Sequence, residues 1–132
     1  MNVERAELIV LGAGPAGVSA ALAAAENGLD VVLIDEADEA GGQVYRAPRS
    51  RPGGPTDPSL QKASARQDPD AARGAALRAR LAQSPVRFLS GPRVWAIEES
   101  FSIHAVGSGV SRTVTAPRVV SAAGAIERVV PF

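Results

Sequence analysis

Leu8-Ile9-Val10-Leu11-Gly12-Ala13-Gly14-Pro15-Ala16-Gly17 stands near the start of the chain and already limits the folds open to it. Four apolar residues in a row, without alternation, suit a strand buried on both faces of a parallel sheet. Glycines at 12, 14 and 17 follow at the G-x-G-x-x-G spacing. From Pro15 to Asn27 the chain is rich in alanine, with Val18 and Leu22 on one face, proline where a first helical turn tolerates it, and Gly28 as a stop. A helix of about three turns is expected. Val31-Val32-Leu33-Ile34 predicts a second buried strand. Strand, helix and strand in this order return through a right-handed crossover, which makes the two strands parallel neighbours.

The position of the glycines gives them a chemical meaning. Gly12 permits a tight turn, Gly14 lets backbone approach a pyrophosphate with no Cβ in the way, and Gly17 lets the helix lie close to the sheet. Pro15 and Ala16 open the helix, whose free N–H groups and partial positive charge favour an anion by about 0.3–2 kcal/mol per charge. Asp35 ends the second strand, where a carboxylate accepts hydrogen bonds from adenosine ribose hydroxyls and repels a 2′-phosphate. These residues predict a dinucleotide site and disfavour NADP. They leave NAD and FAD open.

Composition narrows the alternatives. The 132 residues suffice for one domain, and 45% apolar with 21% charged residues is the make-up of a folded globular chain. Basic and acidic residues number 14 each, and the arginines are dispersed, so neither a nucleic-acid surface nor an anionic membrane is expected as partner. With no cysteine, the chain offers no disulfide, thiolate nucleophile or cysteine-held cluster, and redox chemistry requires a bound cofactor. Its amino terminus lacks the basic start of a secretory signal, and its apolar runs are shorter than the roughly 20 residues of a membrane span. A cytoplasmic location is the expectation.

Further along, residues 47–70 are rich in Pro, Gly, Ser and Arg and predict a long, partly mobile surface loop. Asp70 to Gln83 predicts a helix with Ala71, Ala75, Leu77 and Leu81 on one face and Arg73, Arg78 and Arg80 on the other. Val86-Arg87-Phe88-Leu89 predicts a third strand. The short runs 94–97, 102–106 and 112–115 predict an antiparallel meander, and Val119-Val120-Ser121-Ala122 a returning strand. The expected fold is α/β and Rossmann-like: a parallel sheet flanked by helices, with a small antiparallel β-meander, all within one domain over 1–132.

After Asp35 and Glu36, the chain reaches Gly41-Gly42-Gln43 at a spacing that resembles the flavoprotein superfamily with two dinucleotide-binding domains. The meander followed by Val120-Ser121-Ala122-Ala123-Gly124 resembles that superfamily's returning strand and small-residue turn. A narrower resemblance is carried by Gly41-Gly42-Gln43-Val44-Tyr45-Arg46, by Val94-Trp95 and by Ala123-Gly124-Ala125-Ile126-Glu127-Arg128-Val129-Val130-Pro131-Phe132. Together these are similar to the FAD- and NAD(P)-binding-type subunit shared by opine oxidases, hydroxyproline dehydrogenases and hydrogen cyanide synthase. The resemblance implies FAD as cofactor, partner subunits, and oxidation of an amino acid or opine-like amine by hydride transfer to the flavin. It implies that Gly42 and Gln43 border the phosphates and ribityl arm, that Ala123 and Gly124 avoid collision with the cofactor, and that the backbone at Val94 lies near the adenine. Asp35 stands where a longer Glu is common, so the ribose contact is expected to be shorter, shared with Glu36, or water-mediated. Relatives continue through a second dinucleotide-binding unit, so the chain is expected to be an FAD-binding portion, incomplete for catalysis. The rivals are an NAD-binding dehydrogenase module and a non-catalytic nucleotide-binding subunit.

Other reactive residues are read more plainly. His104 alternates with Ile103 and Ala105 and is expected on the solvated side of a strand, with no catalytic role. Trp95 is expected in the core, Tyr45 packed, and Arg46 solvated. Glu36, Asp38, Glu39, Glu98 and Glu99 are expected as solvated acids rather than metal ligands. No catalytic residue is assigned.

Overall fold

The computed structural model describes residues 2–45 and 69–125. The expected loop lies almost wholly outside these residues, as do Arg46 and the segment from Ile126 to Phe132. The elements, in chain order, are β1 (Asn2–Arg5), β2 (Leu8–Leu11), α1 (Pro15–Glu26), β3 (Val31–Asp35), α2 (Pro69–Gln83), β4 (Arg87–Ser90), β5 (Arg93–Ile97), β6 (Ser102–Gly107), β7 (Val110–Thr115) and β8 (Val119–Ser121). The helix expected from Asp70 begins one residue earlier, at Pro69, since proline is well suited to the first turn of a helix.

Two sheets of four strands form, in the orders β4-β3-β2-β8 and β1-β7-β6-β5. The first is parallel throughout, with Leu8 opposite Val31, Ile9 opposite Val119 and Val32 opposite Arg87. Alternate residues of its central strands enter different cores. Leu8, Val10, Val31 and Leu33 join Val18, Ala21 and Leu22 of α1 and Leu81 of α2. Ile9, Leu11, Val32 and Ile34 face Ile103 and Val114 of the second sheet. Burial on both sides is the physical reason for the unbroken apolar runs. Both described helices contribute to the first of these cores, and the meander covers the opposite face in place of a second helical layer.

Strand β1 adds to the expected elements. Asn2-Val3-Glu4-Arg5 has little strand character, but it pairs in parallel with β7, Val3 opposite Thr113. Glu4 accepts from Arg112 Nη1 at 3.1 Å and from Arg87 Nη1 at 3.4 Å, tying both sheets to the amino terminus.

Two side-chain expectations fail here. Trp95 is 64% exposed rather than in the core. Strand β5 alternates exposed and half-buried residues, so Trp95 faces away from the core that Val94 packs against. His104, expected in solvent, has a side chain only 19% exposed. Its ring lies 5.4 Å from the Trp95 ring, and Nδ1 is 3.0 Å from Thr113 Oγ1. On α2 the faces are also rotated from the expectation: Gly74 and Leu81 are buried and Ala75 is exposed.

Candidate cofactor site

The site is assembled by backbone at the carboxyl end of the parallel sheet. Gly12 follows β2 with φ +98°, a conformation glycine adopts without strain. A Cβ there would lie 2.4 Å from the carbonyl oxygen of Ala122, so the turn after β2 and the chain leaving β8 pass in direct contact. Ala122 N–H donates to Leu11 O at 2.7 Å, and Gly12 N–H donates to Ile34 O at 2.8 Å. Gly17 is tighter still, for a Cβ would stand 1.7 Å from Gly12 O. Two of the three glycines are therefore required by the fold itself.

Gly14 differs. It has φ −71° and ψ −178° at the N-cap of α1, and among the described residues the nearest atom to a Cβ placed there is Gly42 Cα at 3.9 Å. Its N-cap residue, Gly14, has no side chain with which to cap the helix, no acid lies in its first turn, and proline occupies its start. First-turn amides such as those of Ala16 and Gly17 have no acceptor within the helix. A helix end of this kind, with clear space beside Gly14, fits the diphosphate of a dinucleotide.

The second glycine pair forms the facing wall. Gly41 N–H donates to Ala13 O at 2.8 Å, and a Cβ on Gly42 would approach Gly14 Cα to 2.9 Å. Gly41 and Gly42 have φ of +135° and +61°, so both the turn and the close approach depend on glycine. Gln43 follows on the exposed part of this loop. Ala123 and Gly124, leaving β8, are exposed, Gly124 with φ +72° and open space where a Cβ would project. Thus residues 12–17, 41–43 and 122–124, far apart in the chain, converge.

Asp35 is placed at this end of β3 as expected, but its carboxylate serves the protein backbone. Oδ2 accepts from Ala13 N–H at 2.5 Å, and Oδ1 accepts from Ala37 N–H at 2.8 Å. It braces the glycine turn from beneath. Glu36 projects outward, its side chain 63% exposed, and pairs with Arg93 Nε at 3.1 Å. Val94, the next residue, is half-buried against the core between the sheets.

Other sequence candidates fall elsewhere. Glu98 Oε1 stands 3.1 Å from His104 Nε2, out of line for a hydrogen bond, on the meander. Glu39 lies 3.8 Å from Arg78 Nε. Tyr45 is half-buried, as expected, where a Cβ on Gly74 would meet its own Cβ at 2.9 Å. Arg78, assigned to a solvated face by periodicity, instead reaches under the second glycine loop. The available signal was Gly74 in the interior of a helical run, where glycine is unfavourable unless something approaches closely.

Residues 7–118 match the sequence profile of the family described as FAD dependent oxidoreductase. An opine oxidase subunit of Agrobacterium tumefaciens (strain Ach5) is 34% identical over 134 aligned residues, covering 95% of this chain and 25% of that protein. Hydrogen cyanide synthase subunit HcnB of Pseudomonas protegens is 50% identical over 40 residues, 30% of this chain and 8% of that protein. The crystal structure of L-proline dehydrogenase from P. horikoshii superposes with a TM-score of 0.70 at 23% identity, over 98% of this chain and 25% of that one, and bears out the fold. The chain spans about a quarter of the length of the opine oxidase polypeptide it matches.

Proposed function

The chain belongs to the FAD dependent oxidoreductase family, and from that premise we propose that it is the FAD-binding portion of a cytoplasmic, multi-subunit enzyme that oxidises the carbon–nitrogen bond of an amino acid or opine-like secondary amine. The cofactor of the family is FAD. When bound, it supplies a flavin ring that accepts a hydride. The observation that carries the proposal is the convergence of both glycine loops and the Ala122–Gly124 turn at the start of α1.

In this reading, Gly12 and Gly17 shape the turn, while Gly14, Pro15, Ala16 and Gly17 present backbone to the diphosphate. Glu36 takes the adenosine ribose hydroxyls, and Asp35 holds the turn that positions the diphosphate. Gly42 and Gln43 border the ribityl arm, Ala123 and Gly124 leave room for it, and the backbone at Val94 flanks the adenine. The relatives named as subunits support an assembly with further chains. Among the described residues no helix is long and apolar enough to cross a membrane. We assign no described side chain to acid–base work at the reacting bond.

The test is reconstitution. Purified chain mixed with FAD and desalted should retain a flavin absorbance spectrum, and should not retain NAD. Amine-dependent dye reduction should then appear on addition of partner subunits. Retention of NAD in preference to FAD would contradict the cofactor reading, and full amine oxidation by the chain alone would contradict the reading as a portion of a larger enzyme.

A further inference from the structure

We infer that Arg78 on α2 is a positioning residue for the cofactor: it clamps the Gly41–Gly42–Gln43 loop against the glycine turn, so that a helix outside the dinucleotide unit sets the width of the cradle. The inference rests on the FAD reading above and extends it to residues that no glycine motif includes.

A single nitrogen of Arg78, Nη1, donates to Ala40 O at 3.1 Å and to Tyr45 O at 2.9 Å. These carbonyls bracket the loop, one before Gly41 and one after Gln43. The Arg78 side chain is only 22% exposed, and Ala40 beside it is buried. Partly desolvated bonds from a charged donor are stronger than neutral ones, and losing the donor strands two carbonyls. Glu39 Oε2, 3.8 Å from Nε, offsets the charge at the rim.

Gly74, one helical turn before Arg78, completes the clamp. A Cβ there would lie 2.9 Å from Tyr45 Cβ, 3.2 Å from Tyr45 O and 3.2 Å from Arg78 Nη1. Glycine thus admits the loop to the surface of α2 at a position where alanine would favour the helix itself. The clamped loop reaches the first glycine turn through Gly41 N–H on Ala13 O at 2.8 Å and through Gly42 against Gly14. Displacing it moves the wall that faces the first-turn amides of α1.

The experiment compares the wild-type chain with Arg78→Met, Arg78→Lys and Gly74→Ala. Hydrogen exchange on the cofactor-free chain reads the clamp directly. Arg78→Met should speed exchange of the Gly41 and Tyr45 amides by about tenfold, leaving the Val18 amide, bonded to Gly14 O, unchanged. Titration with FAD, followed by flavin fluorescence, should show a Kd raised by about tenfold in Arg78→Met and restored to within about threefold by Arg78→Lys, whose ammonium can serve both carbonyls. Gly74→Ala should weaken FAD binding although it improves helix propensity, an effect a general stabilising role for α2 does not produce.

Unchanged exchange in Arg78→Met overturns the clamp. Faster exchange with wild-type FAD affinity overturns its link to the cofactor. Failure of the wild-type chain to bind FAD, with the exchange effect present, refutes the cofactor reading and leaves the clamp standing as a property of the fold.

Discussion

The cradle around α1 and the outer face of the meander are built by opposite means. In the cradle the backbone does the work: Gly12, Gly17, Gly41 and Gly42 are required because other backbone occupies the space where a Cβ would go. On the meander, the Trp95 and His104 rings lie 5.4 Å apart on the side of β5 turned away from the core, and their environment depends on side chains. A site made of main chain therefore tolerates almost no change in residue type, whereas a side-chain cluster on the meander tolerates much.

Gly17→Ala should disrupt the first region most severely. Its Cβ would overlap Gly12 O, and we expect a loss of more than about 3 kcal/mol in stability, measured by denaturant unfolding. Gly12→Ala should follow at about 2–4 kcal/mol, combining the positive φ with the contact at Ala122. A smaller cost from Gly17→Ala than from a meander substitution would invert the contrast.

Asp35→Asn probes the same contrast more finely. The amide retains one acceptor for the two backbone donors at Ala13 and Ala37, so stability should fall by about 1–2 kcal/mol. FAD affinity should fall with it through the loosened turn. Glu36→Gln should instead weaken FAD binding with stability held within about 0.5 kcal/mol, because its partner Arg93 is exposed. Equal effects of the two on stability would remove the division of labour between neighbouring acids.

The mildest consequences belong to the meander. His104→Ala should cost about 1 kcal/mol or less and leave FAD affinity unchanged, since its contacts are Thr113, Glu98 and Trp95. Trp95 is the sole tryptophan, so its fluorescence reports exposure directly, and iodide should quench it readily in the native chain.

The same contrast separates what is legible in the sequence from what is not. The βαβ unit is readable because its signals are local: unbroken apolar runs for doubly buried strands, and glycines at a fixed spacing between strand and helix. The Gly41–Gly42 pair is readable through its resemblance to relatives, and the structure supplies the cause in the approach of Gly42 to Gly14. Trp95 escapes because β5 alternates exposed and half-buried residues, and composition does not say which of its two faces meets the core. Arg78 escapes because periodicity orders residues around a helix without saying what chain packs on the polar side. The bond from Ala13 N–H to Asp35 escapes for a similar reason, because that amide, 22 residues away in the chain, is brought to the carboxylate by tertiary structure.

The backbone cradle stands or falls on Gly14→Val, titrated with FAD while thermal unfolding is followed in parallel. Gly14 has ordinary φ and ψ, and among the described residues the space beside it is open apart from Gly42 Cα at 3.9 Å, so the variant should remain folded. We expect a cooperative unfolding transition and no measurable FAD uptake. A folded Gly14→Val chain that binds FAD as tightly as wild type would show that the diphosphate lies elsewhere.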